Sequence, residues 1–337
     1  MLKRPSSSTS TIDSEEACFV TSDEWFQGGR RVPYHPARKR IIHQEHEYAL
    51  NVFERVRLPL YSPRLPRYDT RWLTLLPGSP TGSYAYAQVD HLLEKRNLIS
   101  TPRLFVEYVG QGDSDKPKDY PHNTMERADL VQAQWRAHGV HRTVVVACAF
   151  SSSVLLELLA RQREAHSNYT TIEHVLILSD TLFPSISGEE ATALLNTPFG
   201  RICSDMALRS NWVSDTLFRI LQRNHPNKST SKAEKRDLQR LSKEASKCIR
   251  RRQGTFCLPH VCLSERKEFA SRWDLRDITQ SLPSVTFRLV LHPNHDGNLE
   301  QQPLGSTPQV RTECISKGES LSTIEIVERI ESLTHGA

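Results

Sequence analysis

Long apolar runs are missing from this chain of 337 residues: no window approaches the roughly 20 apolar residues that a bilayer-spanning helix needs. The start, Met1-Leu2-Lys3-Arg4-Pro5, is positive but has no apolar stretch behind it, so a secretory leader is not expected. Asp13, Glu15 and Glu16 speak against a mitochondrial presequence, which leaves a cytosolic or nuclear location, with the cytoplasm preferred. Cysteine is sparse. Seven thiols, odd in number and widely spaced, do not form a disulfide framework and read as reduced core residues. Charge of one sign is also lacking: 44 Lys and Arg against 39 Asp and Glu give a net charge of only +5. The surplus gathers between Arg219 and Arg252 without interleaved aromatics, so a nucleic-acid footprint is not expected. No internal repeat is visible. Cys257-x-x-His260-x-Cys262 resembles half a metal site, but no second half stands at zinc spacing, and neither metal nor cofactor is expected.

What is present is the composition of a globular protein, with 37% hydrophobic residues and a mean hydropathy of −0.51. Residues 1–20 are rich in Ser, Thr and acids, and residues 1–40 are expected to form a disordered tail. A strand pair is expected near Tyr48, Leu50, Val52, Phe53 and Val56. From Trp72 to Leu159 apolar strands alternate with amphipathic helices. The strands are Trp72–Leu76, Arg103–Tyr108 and Thr143–Cys148; the helices lie near Tyr84–Arg96, Thr124–His138 and Ser152–Gln162. Further strands are expected at Glu173–Ser179 and Ser284–His292. Continuous Val, Leu and Ile strands separated by helices indicate a mostly parallel sheet covered on both faces. Between the last two strands the composition turns helical, polar and charged. Ser231 to Arg251 places Leu238, Leu241, Ala245, Cys248 and Ile249 on one helix face. Ser322-Thr323-Ile324-Glu325 is a capping box, opening a helix through Leu333.

The strand Thr143–Cys148 runs through Ala149-Phe150-Ser151 into a helix, the layout of a nucleophile elbow. Leu76-Pro77-Gly78-Ser79-Pro80-Thr81-Gly82-Ser83-Tyr84 reads as an oxyanion loop, and Gly110-Gln111-Gly112-Asp113-Ser114-Asp115-Lys116-Pro117 as a G-x-G-x-S-D-K-P turn. With the helix Val154–Gln162, and with Arg266–Phe269 and Arg272-Trp273, these motifs resemble the α/β-hydrolase superfamily over about residues 45–335. The resemblance is to its epoxide hydrolase and haloalkane dehalogenase branch, closest to the mesoderm-specific transcript group. It implies an α/β-hydrolase core at 43–184 and 276–337 with a helical cap inserted at about 185–275.

The resemblance also implies a carboxylate nucleophile, a histidine base and an orienting acid. Aligned on it, Ala149 occupies the nucleophile position and Lys317 the base position, so both are substituted. Asp296, or alternatively Asp180, stands where the acid is expected. Ser79 and Phe150 supply the backbone N–H groups of the oxyanion hole, while Pro77 and Cys148 stand where histidines are usual. His292-Pro293-Asn294-His295-Asp296 reads as a polar loop at a strand end. The expectation is an impaired hydrolase or a non-catalytic binder of a small apolar ligand. The active alternative shifts the elbow by two residues and makes Ser151 the nucleophile for an ester or epoxide. A third reading has the basic cap helix, with Lys232, Lys235, Arg236, Arg240, Lys243, Lys247 and Arg250–Arg252, contacting an acidic partner.

Overall fold

The computed structural model describes residues 19–36, 49–59, 69–78, 81–96, 101–117, 120, 122–148, 151–164, 170–178, 232–253, 275–291, 310–314 and 322–335. Their centre is one sheet of eight strands: β1 (Arg30–Tyr34), β2 (Leu50–Arg57), β3 (Arg71–Leu76), β4 (Arg103–Val106), β5 (Arg142–Cys148), β6 (Thr171–Leu178), β7 (Thr286–Leu291) and β8 (Val310–Cys314). They are ordered β1-β2-β4-β3-β5-β6-β7-β8. The β1–β2 and β2–β4 pairs are antiparallel, and every later pair is parallel. The mostly parallel sheet expected from the Val/Leu/Ile runs is therefore observed. Residues Val144 to Cys148 of β5 are buried throughout, as a strand covered on both faces must be.

Seven helices are described: α1 (Ser22–Gln27), α2 (Ala87–Lys95), α3 (Thr124–His138), α4 (Ser152–Glu164), α5 (Lys232–Arg250), α6 (Leu275–Ser281) and α7 (Thr323–His335). The alternation of β5 side chains splits the core in two. Val144, Val146 and Cys148 pack with α2 and α7 residues such as Val89, Leu93, Ile326 and Ile330. Val145 and Ala147 pack with Leu130, Val131, Val154 and Leu158 of α3 and α4. At the opposite ends of the parallel strands, the Glu173 carboxylate joins Arg71 and Arg142, tying the starts of β3, β5 and β6 together.

Helix ends follow their capping chemistry. Asn123 Oδ1 accepts from the Glu126 N–H (2.8 Å) to start α3, and Gly139, at φ 62°, ends it. The capping box at Ser322 forms as expected, with Glu325 accepting from the Ser322 N–H at 2.8 Å. The helix expected from Tyr84 is split into a 3-10 turn at Ser83–Tyr86 and α2, because Gly82 enters the segment at φ 66°. Two strands are trimmed: β4 stops at Val106, and β7 runs from Thr286 to Leu291.

Three expectations are corrected. The tail assigned to residues 1–40 is ordered from Phe19 to Pro36, where α1 and β1 form. Trp25 is 1% exposed and meets the Phe105 ring edge-on at 5.0 Å; Phe26 meets Phe53 in the same way. Two aromatics thus supply the burial that the polar residues around them do not. The partners of β2 are β1 and β4, not a strand from the same segment. Val310 to Cys314, where no strand was expected, form β8 at the sheet edge. Of the segment 185–275 expected as a cap, the described part is residues 232–253 and Leu275. There the amphipathic reading of α5 holds: Ala245 and Cys248 are buried and Leu241 packs against them.

If α1 is part of the cooperative core, replacing Trp25 removes both ring burial and a hydrogen bond. Trp25→Ala is expected to lower the unfolding free energy by about 3–5 kcal/mol in urea titrations. A loss below about 1 kcal/mol would mean that α1 docks without contributing to the fold.

Candidate active-site edge

The C-terminal ends of the parallel strands share one edge. In the sheet register Cys148 lies opposite Leu178, Leu178 opposite Val290, and Val290 opposite Glu313. The candidate positions Ala149, Asp180, Asp296 and Lys317 follow these strand ends in the chain by one to five residues. Those four, with Ser79 and Phe150, lie outside the described residues. So do His295, the Cys257–Cys262 motif and the Arg266–Trp273 segment. Ser151 is the candidate that the structure describes.

Ser151 is fully buried. Its hydroxyl donates to the Pro77 carbonyl at 2.5 Å and accepts from the Tyr108 hydroxyl at 3.1 Å. It thus links the β5–α4 crossing to the loop after β3 and to the strand β4 extension. No histidine is among its hydrogen-bond partners in the described residues. Beside it, Cys148 is 1% exposed, with its thiol 3.1 Å from the Tyr86 hydroxyl, which donates to the Leu76 carbonyl at 2.8 Å. Burial, and then the neighbouring Cys148, push the Tyr86 phenol well above its ordinary pKa, so it remains a neutral donor.

The polar centre of this edge is Glu107, directly after β4 and fully buried. Its Oε2 accepts from the Ser83 N–H at 2.9 Å and also from the Ser83 hydroxyl. A Cβ at Gly82 would fall 1.6 Å from Glu107 Oε1, and one at Gly112 would fall 2.6 Å from it. Both glycines also have positive φ, 66° and 45°. One glycine in each of the two sequence motifs, Gly82 and Gly112, is therefore required by the same carboxyl group. Burial raises the Glu107 pKa to about 8 against the Ser83 hydrogen bonds, which lower it. Its Oε1 has no hydrogen-bond partner among the described residues. Sequence reasoning passed over Glu107. The available signal was a carboxylate inside the apolar run Leu104 to Val109, immediately before Gly-x-Gly.

Helices α1 and α5 close over this centre. Trp25 Nε1–H donates to Ser83 Oγ at 3.1 Å, and the Tyr84 hydroxyl donates to the Val20 carbonyl at 2.9 Å. The Ser22 N–H and hydroxyl donate to Glu244 of α5 at 2.9 and 2.6 Å. Past the end of α5, Arg251 and Arg252 donate through Nε to Asp113 at 2.8 and 3.1 Å, and Lys116 Nζ donates to the Arg251 carbonyl. The Gly110–Pro117 turn is thus the anchor of the helix that follows the long segment after β6. Among the described residues no group of three His, Cys, Asp or Glu side chains could hold a metal ion, and no helix is long and apolar enough to cross a membrane.

No protein-family model matches the chain. LipZ of Mycobacterium tuberculosis, provisionally named a hydrolase, is 28% identical over 160 residues, covering 47% of this chain and 53% of that protein. The mesoderm-specific transcript homolog protein of Homo sapiens is 28% identical over 114 residues, covering 33% of each. The chain therefore spans about half, or less, of the length of the curated relatives it matches. Among solved structures, a probable hydrolytic enzyme of Pseudomonas aeruginosa superposes with a TM-score of 0.58 at 13% identity, over 91% of this chain and 92% of that one. An esterase of Exiguobacterium antarcticum superposes with a TM-score of 0.53 at 13% identity, over 86% and 94%. These likenesses establish the fold: the chain has the α/β-hydrolase fold, as its motifs implied.

A carboxyl group neutral in the fold and ionised in the unfolded chain makes stability pH-dependent. Below about pH 4.5 both states hold the Glu107 proton and its contribution is fully present. Between about 4.5 and 8 only the folded state holds it, so stability falls as pH rises, by up to about 1.4 kcal/mol per pH unit. Glu107→Gln mimics the neutral acid and is expected to flatten that slope in urea titrations across the window. An unchanged slope would show that Glu107 titrates in its ordinary range.

Proposed function

We propose that this chain is a catalytically impaired hydrolase, or a non-catalytic binder of a small apolar ligand, with Ala149 at the nucleophile position and Lys317 at the base position. The observation that carries the reading is the crossing from β5, which ends at Cys148, to α4, which begins at Ser152. Residues 149–151 make that crossing, and Ser151 brings its one hydroxyl. An elbow nucleophile must stand clear above the sheet with a base in reach. Ser151 instead is buried and donates its proton to the Pro77 carbonyl. Alanine at 149 offers no nucleophilic atom. Lysine at 317 could act as a base only with a strongly depressed pKa.

The neutral Glu107 and its two glycines support a retained frame, since that frame needs no reacting group. The packing of α5 on α1 and on the Gly110–Pro117 turn supports reading 185–275 as a cap over the same edge. The names of the similar proteins suggest an ester or epoxide as the chemistry that an ancestral pocket served. A cytoplasmic location is part of this proposal. The active alternative, Ser151 with Asp180 or Asp296 in support, requires that hydroxyl to leave Pro77 and find a base. The basic face of α5 gives a third reading some support, because Arg240 and Lys243 are exposed; an acidic partner would then be its target.

Hydrolysis of p-nitrophenyl esters and a fluorogenic epoxide separates these readings. The native chain is expected to show no turnover above buffer, and the pair Ala149→Asp with Lys317→His to gain weak activity. Ser151→Ala is expected to cost about 1–3 kcal/mol of stability by removing the hydrogen bonds to the Pro77 carbonyl and from the Tyr108 hydroxyl. Native turnover that disappears in Ser151→Ala would overturn the impaired reading and establish the shifted serine.

A further inference from the structure

Away from the catalytic edge, a cleft of about 340 Å³ opens beside the start of β1, lined by Gly28 to Arg30 and by Glu54, Val56, Leu58 and His138. We propose that this cleft binds a small monocarboxylate carrying a short apolar chain. Its ionic part is preformed. Glu54, 1% exposed, accepts from Arg30 Nε at 2.9 Å and pairs with His138 Nε2 at 3.0 Å. Burial works to raise the Glu54 pKa, but the bonds from His138 and Arg30 hold it below the ordinary value, so the carboxylate is charged.

Glu54 holds the Arg30 guanidinium by Nε alone. The side chain is 66% exposed, and its two Nη groups have no partner among the described residues. Their shared edge matches the two oxygens of a carboxylate. The Trp72 ring, itself buried, lies 6.2 Å from that of His138, which lines the cleft, so its indole N–H is placed to report on a ligand that moves the imidazole.

The rest of the lining is apolar. Leu58 is 54% exposed and Val56 lies beside it. Gly28 and Gly29 present bare backbone, because a Cβ would fall 2.1 Å from the Arg55 guanidinium or 2.2 Å from the Phe53 ring. Such walls suit an alkyl chain. The fixed charge on Glu54 disfavours a dianion, which selects a carboxylate over a phosphate. The volume is near the lower end of small-ligand sites, so the ligand has few heavy atoms.

The test is a titration of the full chain with hexanoate, hexanol and inorganic phosphate, following the tryptophan indole N–H resonances by NMR. Trp72→Phe assigns the reporting signal. Hexanoate is expected to shift the Trp72 resonance saturably, with a Kd on the order of 1 mM. Hexanol, and hexanoate on Arg30→Gln, are expected to bind at least about tenfold more weakly. Arg30 is largely exposed, so the variant folds, and Leu58→Ser provides a second one with a few-fold weaker Kd. Absence of a saturable Trp72 shift would overturn the proposal. So would equal affinity in Arg30→Gln, or phosphate competing as well as hexanoate.

Discussion

The Glu107 carboxyl is pressed between the backbones of Gly82 and Gly112 and bonded to Ser83, and the C-terminal edge of the sheet is organised around that contact. The loop after β3 and the turn after β4 come from different strands, yet neither can move without displacing the same buried group. Placing a carboxyl there costs desolvation, and the protein meets that cost by keeping it protonated near neutral pH. From this centre the order spreads outward: Ser83 accepts from Trp25 of α1, and the Gly112 turn carries Asp113, which takes Arg251 and Arg252 beyond α5.

A frame of this kind needs no reacting group. The β5–α4 crossing is secured by Ser151 on Pro77 and Tyr108, and by Cys148 against Tyr86, none of which needs an aspartate at 149. Stability asks for small side chains and satisfied polar groups at the crossing, whereas catalysis asks for an exposed nucleophile and a base. The two demands fall on adjacent residues, so one can be lost while the other persists.

The N-terminal segment illustrates how few residues suffice to order a polar stretch. Around Trp25 and Phe26 the chain is rich in charge, yet Arg55 lies over the Trp25 ring at 4.2 Å and Arg251 over the Phe26 ring at 4.7 Å. The long cationic side chains cover the aromatic faces and keep their charges near acceptors such as the Trp25 carbonyl and Asp23. The result is a staple joining α1 to β2 and to α5, three segments far apart in the chain.

Local pattern determined the parallel core. Runs such as Val144–Val146 and Val175–Leu178 are apolar at every position, the helix before β5 carries its cap, and the Gly-rich motifs marked the turns at the strand ends. The family likeness and the fold were legible from these features alone. What the sequence could not convey depended on contacts between distant residues. Trp25 is buried because Phe105 and Ser83 meet it; Glu107 is held neutral because the assembled core buries it. Ser151, which reads as a free hydroxyl in Ala-Phe-Ser-Ser-Ser, is bound because Pro77 from another strand turns its carbonyl toward it. Periodicity records which face of an element is apolar. Which buried polar group meets which partner is decided when the strands come into register, and that is a property of the tertiary structure.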